Sequence, residues 1–313
     1  MNRESAALVF PGQGSQKIGM GASFKDHAAA KDLFAEADDT LQINLTRLML
    51  SGEQEELSRT CNTQPALLLA GVAALRVLED TSERYAHELC RYMAGHSLGE
   101  YTALVAAGVL RFPDAISLVH LRGKAMQEAV PEGEGKMAAI LGLEAPKVRD
   151  IAAEAQVFVA NDNADGQVVL SGTAENIEAA CAAARKAGAK RAVELPVSAP
   201  FHCPLMTPVA DVMAKAFKDV TFNQSQVPVI SNVTARPVTD AGDWPDLLTR
   251  QVTDTVQWRE SMVFLADEGV REIAELGAGK VLTGLAKRCD KRLEATALET
   301  FEDIKTALTP NVD

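Results

Sequence analysis

The sequence has few cysteines, few positive charges and no long apolar run. Its five cysteines are odd in number, lie far apart and include no C-x-x-C pair, so a disulfide framework and a metal site both fit poorly. We expect reduced, mostly buried thiols in a cytoplasmic protein. The longest apolar run, Pro65–Leu75, is too short to span a bilayer and predicts a buried helix and no membrane partner. We also expect no signal peptide, because the first five residues lead directly into a strand.

Positive charge is scarce as well. The chain has 31 Lys and Arg residues against 43 Asp and Glu residues, which gives a formal net charge of -12. This balance argues against general nucleic-acid binding, which needs a positive surface. An acidic protein partner would have to dock on a local basic patch.

The order of the predicted elements indicates an α/β fold. The 313 residues suit one large domain or two smaller ones. Alternating strands and helices predict a mainly parallel sheet that is covered on both faces. We predict strands at Ala6–Phe10, Arg91–Ala94, Val227–Ile230 and Glu272–Leu276, and helices at Phe24–Ala37, Pro65–Leu78, Glu100–Leu110, Pro113–Val130, Pro204–Phe217, Trp244–Val252 and Trp258–Glu268, with a last helix beginning near Val281.

A compact series of short elements interrupts this pattern after Gly133. Its predicted order, β-α-β-β-α-β, is typical of the ferredoxin-like arrangement. We therefore predict a ferredoxin-like small subdomain, residues 132–202, inserted into an α/β-hydrolase-like large subdomain made of residues 1–131 and 203–313. The predicted elements are strand Met137–Gly142, helix Ala145–Ala155, strands Val157–Ala160 and Gln167–Ser171, helix Ala174–Ala187 and strand Arg191–Leu195.

The segment Gly95–Gly99 reads GHSLG and lies between a predicted strand and an Ala-rich helical pattern. This strand–turn–helix setting is the one in which G-x-S-x-G forms a nucleophile elbow. Glycines two residues either side of Ser97 let the backbone turn sharply and leave the hydroxyl exposed. A chance match is the alternative, so a catalytic role for Ser97 depends on the rest of the chain.

A serine nucleophile needs a base, and the chain has five histidines. His96 adjoins the serine and should point away from it. His120 diverges by roughly 200° from Arg122 on the same helix, so the two cannot face one site. His27 and His87 lie in polar surroundings, which we expect to be exposed.

His202 is left as the candidate base. It lies in a proline-rich segment that follows the last strand of the small subdomain. A hinge between two subdomains is a place where clefts form. A purely structural histidine is the alternative.

A glycine-containing loop, Pro11–Gly14, follows the first predicted strand. In serine hydrolases of this build, such a loop supplies one oxyanion N–H and the residue after the nucleophile supplies the other. The backbone N–H groups of Gln13 and Leu98 are therefore the predicted oxyanion donors. A phosphate-binding loop does not fit, because no Gly-Lys-Ser/Thr follows, and Gly277–Lys280 lacks the upstream glycine.

Together these segments resemble the malonyl-CoA:acyl carrier protein transacylases over nearly the whole chain. The motifs are ordered and consistently spaced, which makes the resemblance specific. They are Pro11–Gln16, Gly95–Glu100, Arg122–Met126, Ser198–His202, Arg250–Val252 and Gly277–Leu282.

The resemblance implies a role for each matching residue. Ser97 would be the acylated nucleophile and His202 its general base. No acidic third member is evident, and the backbone carbonyl of Gln251 would orient the imidazole, making a Ser–His dyad. Gln64 and Asn163 would lie near the substrate.

Arg122 would bind the free carboxylate of a malonyl group, because a planar guanidinium pairs with a carboxylate through two charge-assisted hydrogen bonds. A surface arginine on a helix is the alternative. Leu98 and Phe201 match the malonyl-type pattern. A bulky Phe201 would crowd an α-methyl group, although one methyl is worth only about 1–3 kcal/mol of discrimination.

The implied activity is that of an acyltransferase: ping-pong transfer of malonyl from malonyl-CoA to the phosphopantetheine thiol of acyl carrier protein, for fatty-acid synthesis. We expect no metal, no cofactor and a monomer. The alternatives are the transacylase component of a malonate decarboxylase, a thioesterase or lipase-like hydrolase, and a non-catalytic scaffold. Candidate basic positions for the acidic carrier are Arg185, Lys186, Lys190, Arg191, Lys287, Arg288, Lys291 and Arg292.

Overall fold

The computed structural model of the chain describes residues 2–131, 133–197 and 199–309. Ser198, the first residue of one motif, and the residues at three predicted subdomain limits (1, 132 and 313) lie outside the described part. The strands are β1 (Ala6–Phe10), β2 (Tyr92–Gly95), β3 (Gly135–Leu141), β4 (Phe158–Ala164), β5 (Gln167–Thr173), β6 (Arg191–Glu194), β7 (Val229–Ile230), β8 (Glu272–Leu276) and β9 (Glu294–Leu298). The helices are α1 (Lys31–Leu41), α2 (Leu45–Ser51), α3 (Gln54–Leu57), α4 (Thr60–Ser82), α5 (Ala86–Leu89), α6 (Gly99–Ala106), α7 (Phe112–Glu128), α8 (Ala145–Glu154), α9 (Ala174–Lys186), α10 (Thr207–Ala216), α11 (Trp244–Gln251), α12 (Trp258–Asp267), α13 (Val281–Cys289) and α14 (Phe301–Leu308).

The larger sheet is parallel throughout, with strand order β7-β2-β1-β8-β9. Strand β1 lies at its centre and all five of its residues are buried. Leu8 and Phe10 pack into one apolar core with helix α4, while Ala7 and Val9 pack into a second core with helices α12 and α13. The sheet is therefore covered on both faces, which confirms the predicted α/β fold with a parallel sheet.

The smaller sheet is antiparallel, with strand order β4-β5-β3-β6. Its elements follow the order β3-α8-β4-β5-α9-β6 along the chain. Ala138 and Ile140 pack in the small core formed with helices α8 and α9. Met137 and Val169 point from the opposite face into the large core, because side chains alternate along a strand. This second face covers the site described below.

The predicted start of the long helix at Pro65 was wrong, because helix α4 begins at Thr60 and contains the proline. A proline has no N–H and leaves the carbonyl four residues earlier without its helical partner. Here that carbonyl belongs to Cys61, and it lies 3.0 Å from Nδ1 of His120 on the neighbouring helix. A tertiary contact therefore compensates for the proline inside the helix.

Two further predictions were wrong at the chain's ends. Residues 24–30 form turns, and helix α1 begins only at Lys31. The helix that begins at Val281 is followed by an edge strand, Glu294–Leu298, and by a further helix, Phe301–Leu308, which the sequence analysis missed. The edge strand alternates exposed and half-buried residues, so its hydrophobic pattern is weak.

Helix α4 is the one helix in the described ranges that is long and apolar enough to cross a membrane by length and composition. In this fold 83% of its apolar window is buried inside the protein. The helix packs against α6 and α7 in the large core, as predicted for the apolar run.

Candidate active site

Ser97 lies at the tip of a sharp turn between strand β2 and helix α6. Its φ of +52° is in the left-handed region, which is strained for a residue with a side chain. A Cβ on Gly95 would lie 1.9 Å from the backbone of Gly99, and a Cβ on Gly99 would lie 2.2 Å from the carbonyl oxygen of Phe10. Both glycines are therefore required by the close approach of backbone to backbone, as the predicted nucleophile elbow demands.

His202 is buried beside the serine, and its Nε2 lies 2.8 Å from Ser97 Oγ. Its Nδ1 lies 2.7 Å from the backbone carbonyl oxygen of Gln251. A carbonyl can only accept, so Nδ1 carries the proton and Nε2 is free to accept from the serine hydroxyl. Burial and, to a smaller extent, the charge of Arg122 together lower the pKa of His202 to about 3. The imidazole is therefore neutral at physiological pH.

Arg122 is fully buried on helix α7 and reaches the same point. Its guanidinium donates to Oε1 of Gln64 at 2.9 Å, to Oε1 of Gln251 at 2.8 Å and to Ser97 Oγ at 3.1 Å. No carboxylate of the described chain lies within ion-pair distance of it, and its Nε has no hydrogen-bond partner there. Burial lowers the pKa of the guanidinium. A buried cation that is held only by neutral acceptors can receive a carboxylate from a ligand.

A polar network behind the elbow was missed by the sequence analysis. Asn232 accepts from the backbone N–H of Ser97 at 2.7 Å and donates to the carbonyl of Gly95 at 2.7 Å. The carboxylate of Glu100 accepts from the backbone N–H of Asn232 at 2.8 Å and from Nε2 of Gln251 at 2.7 Å. Burial raises the pKa of Glu100 to about 7. The only sequence signal for Asn232 is its place just after a strand, where parallel sheets form binding sites.

The two predicted oxyanion donors both line the cavity in front of Ser97. The backbone N–H groups of Gln13 and Leu98 donate to no acceptor among the described residues. The side-chain amide of Gln13 donates to Thr60 Oγ1 at 3.4 Å. Two such backbone donors beside a serine hydroxyl are what an oxyanion hole requires.

Gln64 and Asn163 also line the cavity. Gln64 is buried and holds Arg122 through its Oε1. Asn163 is buried on strand β4, and its Oδ1 lies 2.7 Å from Nε2 of His96. His96 is thus turned away from the serine, as expected, and supports the wall of the site.

The remaining histidines and the cysteines lie outside the site. His27 and His87 are half-buried, so the expectation that both are exposed was wrong: His27 packs against Phe301, and His87 stacks on Tyr85. Four of the five cysteines are buried, as predicted, and all five are unpaired. Among the described residues no group of three or more His, Cys, Asp or Glu side chains could hold a metal ion.

The site opens into a cavity of about 330 Å³ between the two sheets. Ser97, His202 and Arg122 form its floor, and Met137 and Val169 of the small sheet lie on its wall. A lining that is polar around Ser97 and mixes apolar with amide side chains on the small sheet suits a ligand with a charged reacting end and an extended arm.

Comparison with known proteins places this geometry in a family. The acyl transferase domain family matches residues 7–297. The malonyl CoA-acyl carrier protein transacylase of Salmonella typhimurium is 48% identical over 308 residues, covering 97% of this chain and 98% of that protein. The corresponding Bacillus subtilis protein is 44% identical and covers 96% of each chain.

Solved structures agree. An acyl carrier protein S-malonyltransferase from Vibrio cholerae superposes with a TM-score of 0.93 and 45% identity, covering 97% of this chain and 99% of that one. A malonyl-transacylase in complex with its type II PKS acyl-carrier protein gives a TM-score of 0.93 and 44% identity over the same shares. The chain belongs to the acyl transferase family and, within it, to the malonyl CoA-acyl carrier protein transacylases.

Proposed function

We propose that this protein transfers the malonyl group of malonyl-CoA to the phosphopantetheine thiol of acyl carrier protein, supplying fatty-acid synthesis. The observation that carries the proposal is the buried Arg122, which lies 3.1 Å from Ser97 Oγ and has no carboxylate partner in the described chain. A hydrolase of simple esters has no use for such a cation. A malonyl thioester carries its free carboxylate close to the reacting carbonyl, where this arginine can bind it.

In the first half-reaction Ser97 Oγ attacks the thioester carbonyl carbon while His202 Nε2 takes the hydroxyl proton. The tetrahedral oxyanion accepts hydrogen bonds from the backbone N–H groups of Gln13 and Leu98. The C–S bond then breaks, and His202 returns the proton to the coenzyme A thiolate. Malonyl-serine is left behind, with its carboxylate on Arg122.

In the second half-reaction the thiol of the carrier protein loses its proton to His202 and attacks the malonyl-serine carbonyl. The C–O bond to Ser97 breaks, and the proton passes back to Ser97 Oγ. Because a thiol is a good leaving group, the imidazole needs less activation than in peptide hydrolysis. The neutral carbonyl of Gln251 can therefore take the place that a carboxylate holds in a Ser-His-Asp triad.

We also propose that the chain is divided into two subdomains. Residues 1–131 and 203–313 form an α/β-hydrolase-like large subdomain, supported by the parallel sheet and the strained serine between β2 and α6. Residues 132–202 form a ferredoxin-like small subdomain, supported by the order β4-β5-β3-β6 and two helices on one face. The enzyme works as a monomer, since one chain supplies every residue of the reaction above, and that reaction uses no cofactor. Its proposed location is the cytoplasm.

The carrier protein approaches across the cleft between the subdomains. Lys190 and Arg288 lie together beside Gln167, which also lines the site cavity. An acidic carrier would meet these charges as its pantetheine arm enters. Arg292 is a poorer candidate, because Asp267 and Asp290 already neutralise it.

Replacing Arg122 by alanine tests the proposal. Loss of a buried charge-assisted pair costs about 3 kcal/mol, so we expect the kcat/KM for malonyl transfer to fall on the order of 100-fold. Transfer from acetyl-CoA, which has no carboxylate, should change far less. Steady-state assays with both donors measure the ratio of malonyl to acetyl transfer, and Arg47→Ala, on an exposed arginine of helix α2, is the matched control. Equal losses with both donors would remove Arg122 from substrate recognition.

A further inference from the structure

Glu100 is a buried carboxylate that the proposed reaction does not use. It follows the nucleophile by three residues, in the first turn of helix α6, and is 1% exposed. It makes no hydrogen bond to the side chains of Ser97, His202 or Arg122. Burial of a carboxylate costs free energy unless its oxygens are hydrogen-bonded, so the groups that bind Glu100 indicate what the buried charge is for.

Both oxygens of Glu100 accept from fixed donors. Oε1 accepts from the backbone N–H of Asn232 at 2.8 Å, and Oε2 accepts from Nε2 of Gln251 at 2.7 Å. We propose that Glu100 is a positioning residue for the arginine that binds the malonyl carboxylate: it holds the side-chain amide of Gln251 with the oxygen turned toward Arg122. This inference rests on the proposed function.

The hydrogen bonds of Gln251 permit only one orientation of its amide. Nε2 donates to Glu100 and, at 2.8 Å, to the backbone carbonyl of Ser97, while Oε1 accepts from Arg122 at 2.8 Å. An ionised carboxylate and a carbonyl can only accept, and a guanidinium can only donate. Turning the amide over would set acceptor against acceptor and donor against donor.

The orientation of Arg122 depends on this amide. The same Nη2 nitrogen that donates to Gln251 also lies 3.1 Å from Ser97 Oγ. If the amide turned over, its NH₂ group would face the guanidinium and push it away from the serine. The carboxylate of the substrate would then meet a displaced partner, and binding of malonyl donors alone would weaken.

A purely electrostatic role for Glu100 predicts the opposite sign. Its negative charge acts on Arg122 and would oppose a second carboxylate arriving there. Neutralising Glu100 would then tighten malonyl binding. The positioning role predicts weaker malonyl binding. A neutral side chain at this place has a donor where the carboxylate has one of its two acceptor oxygens, so either the backbone N–H of Asn232 or Nε2 of Gln251 loses its acceptor.

Protonation of Glu100 produces the same neutral state without a mutation, since burial raises its pKa to about 7. The other titratable groups around Glu100 and Arg122 are Tyr101, His202 and His96. Burial raises the pKa of Tyr101 and lowers those of both histidines. Glu100 is therefore the group expected to ionise near neutral pH, and malonyl binding should weaken as the pH falls through its pKa.

The test compares Glu100→Gln with Glu275→Gln. Glu275 is an equally buried carboxylate that caps helix α13 through Leu282 and Thr283 and touches none of the residues around Ser97. Steady-state transfer to carrier protein is measured with malonyl-CoA and acetyl-CoA from pH 5.5 to 8.5, a range of roughly three units around the raised pKa. Both donors carry the same coenzyme phosphates, so a difference between them reports on the carboxylate.

We expect E100Q to lower the kcat/KM for malonyl-CoA about tenfold, mainly through KM, with acetyl transfer within about twofold. The native enzyme should lose malonyl kcat/KM below about pH 7 but keep acetyl kcat/KM, and this acid limb should be absent in E100Q. The native profiles need no variant, so they test the proposal even if E100Q folds poorly.

Four outcomes overturn the inference. Equal losses with both donors, or the same selective loss in E275Q, would make Glu100 a structural residue only. Tighter malonyl binding in E100Q would establish the electrostatic role instead. Native profiles that are alike for the two donors would exclude control by Glu100. A native protein that transfers no malonyl group at all would refute the proposed function itself.

Discussion

At the residue scale, hydrogen bonds and close backbone contacts fix the conformation, the tautomer or the charge of each side chain in the site. Ser97 is held at a strained φ of +52° by the backbone contacts of two glycines. His202 is held as the tautomer that can accept from the serine. Arg122 is held by neutral groups and keeps its charge for a ligand. The proposed roles depend on the proton at Nδ1 of His202 and on the positive charge of the Arg122 guanidinium.

The low pKa of His202 gives a prediction for pH. A base acts in its neutral form, so its activity is lost only when the pH falls through the pKa of the folded state, which is about 3. An imidazole with the ordinary pKa of about 6.5 would be about 97% protonated at pH 5 and would slow the reaction about 30-fold. We expect the rate at which Ser97 reacts to change less than twofold between pH 8 and pH 5.

The measurement is the rate at which phenylmethanesulfonyl fluoride modifies Ser97, followed by intact mass. The reagent has no carboxylate, so the state of Arg122 does not enter. His202→Ala should react slowly at every pH. A fall of about 30-fold in the native protein would show that the imidazole titrates normally in the site.

That Ser97, Arg122 and His202 line one cavity could be predicted from the sequence, because short motifs carry them. An elbow needs a glycine two residues on either side of the serine, and the residue after the serine is the proposed oxyanion donor. Asn232 and the contacts of Glu100 could not be predicted, because they arise from chain segments more than a hundred residues apart. Such contacts depend on how the sheet assembles, and no local pattern encodes them.

At the element scale, the packing of helix α4 on helix α7 brings Gln64 to Arg122. Gly123 allows the close approach, since a Cβ there would lie 2.5 Å from the carbonyl oxygen of Thr60. The start of helix α4 was hard to predict, because a proline inside it signals a helix start by local propensity. Only the contact from His120 to Cys61 on the assembled pair explains why the helix continues through it.

Gly123→Ala should force the two helices apart. We expect the free energy of unfolding to fall by about 1–3 kcal/mol, as in overpacked cores, and malonyl transfer to fall with the displacement of Arg122. Denaturant unfolding measures the change in stability, and the ratio of malonyl to acetyl transfer rates measures the displacement of Arg122.

Gly284→Ala is the matched control on helix α13, where nothing lies within 4 Å of the added Cβ. It should raise the free energy of unfolding by about 0.5–1 kcal/mol. If Gly123→Ala were as stable and as selective as the native protein, the packing of α4 on α7 would not set the position of Arg122.

At the scale of the whole molecule, the two sheets are joined beside the cavity by strand β4. The backbone of Asp162 donates to Val256 of the large unit at 3.0 Å. Its buried carboxylate binds Arg149 of the small unit at 3.0 Å and Arg259 of the large unit at 3.1 Å.

The α/β class could be predicted from the alternation of strands and helices along the sequence. The junction at Asp162 could not be predicted, because its partners lie far apart in the chain, and the last strand could not, because its hydrophobic pattern is weak.

Asp162→Asn should weaken the junction. Breaking a buried ion pair costs about 3–5 kcal/mol, and the exposure of Arg149 reduces the expected loss to about 2–3 kcal/mol. The control is Glu302→Gln, on an exposed pair with Lys305, which should change stability by less than about 0.5 kcal/mol. Denaturant unfolding compares the two. Similar small changes in both variants would show that the carboxylate does not hold the units together.

The central claim is that Ser97 carries the malonyl group between two thiols. It is tested most directly by intact-protein mass spectrometry after brief exposure to malonyl-CoA, with Ser97→Ala alongside. The account predicts one malonyl adduct on the native chain, none on the variant, and rapid loss of the adduct when carrier protein is added but not in buffer alone. An adduct that water removes as fast as carrier protein does, or one that persists in Ser97→Ala, would contradict it.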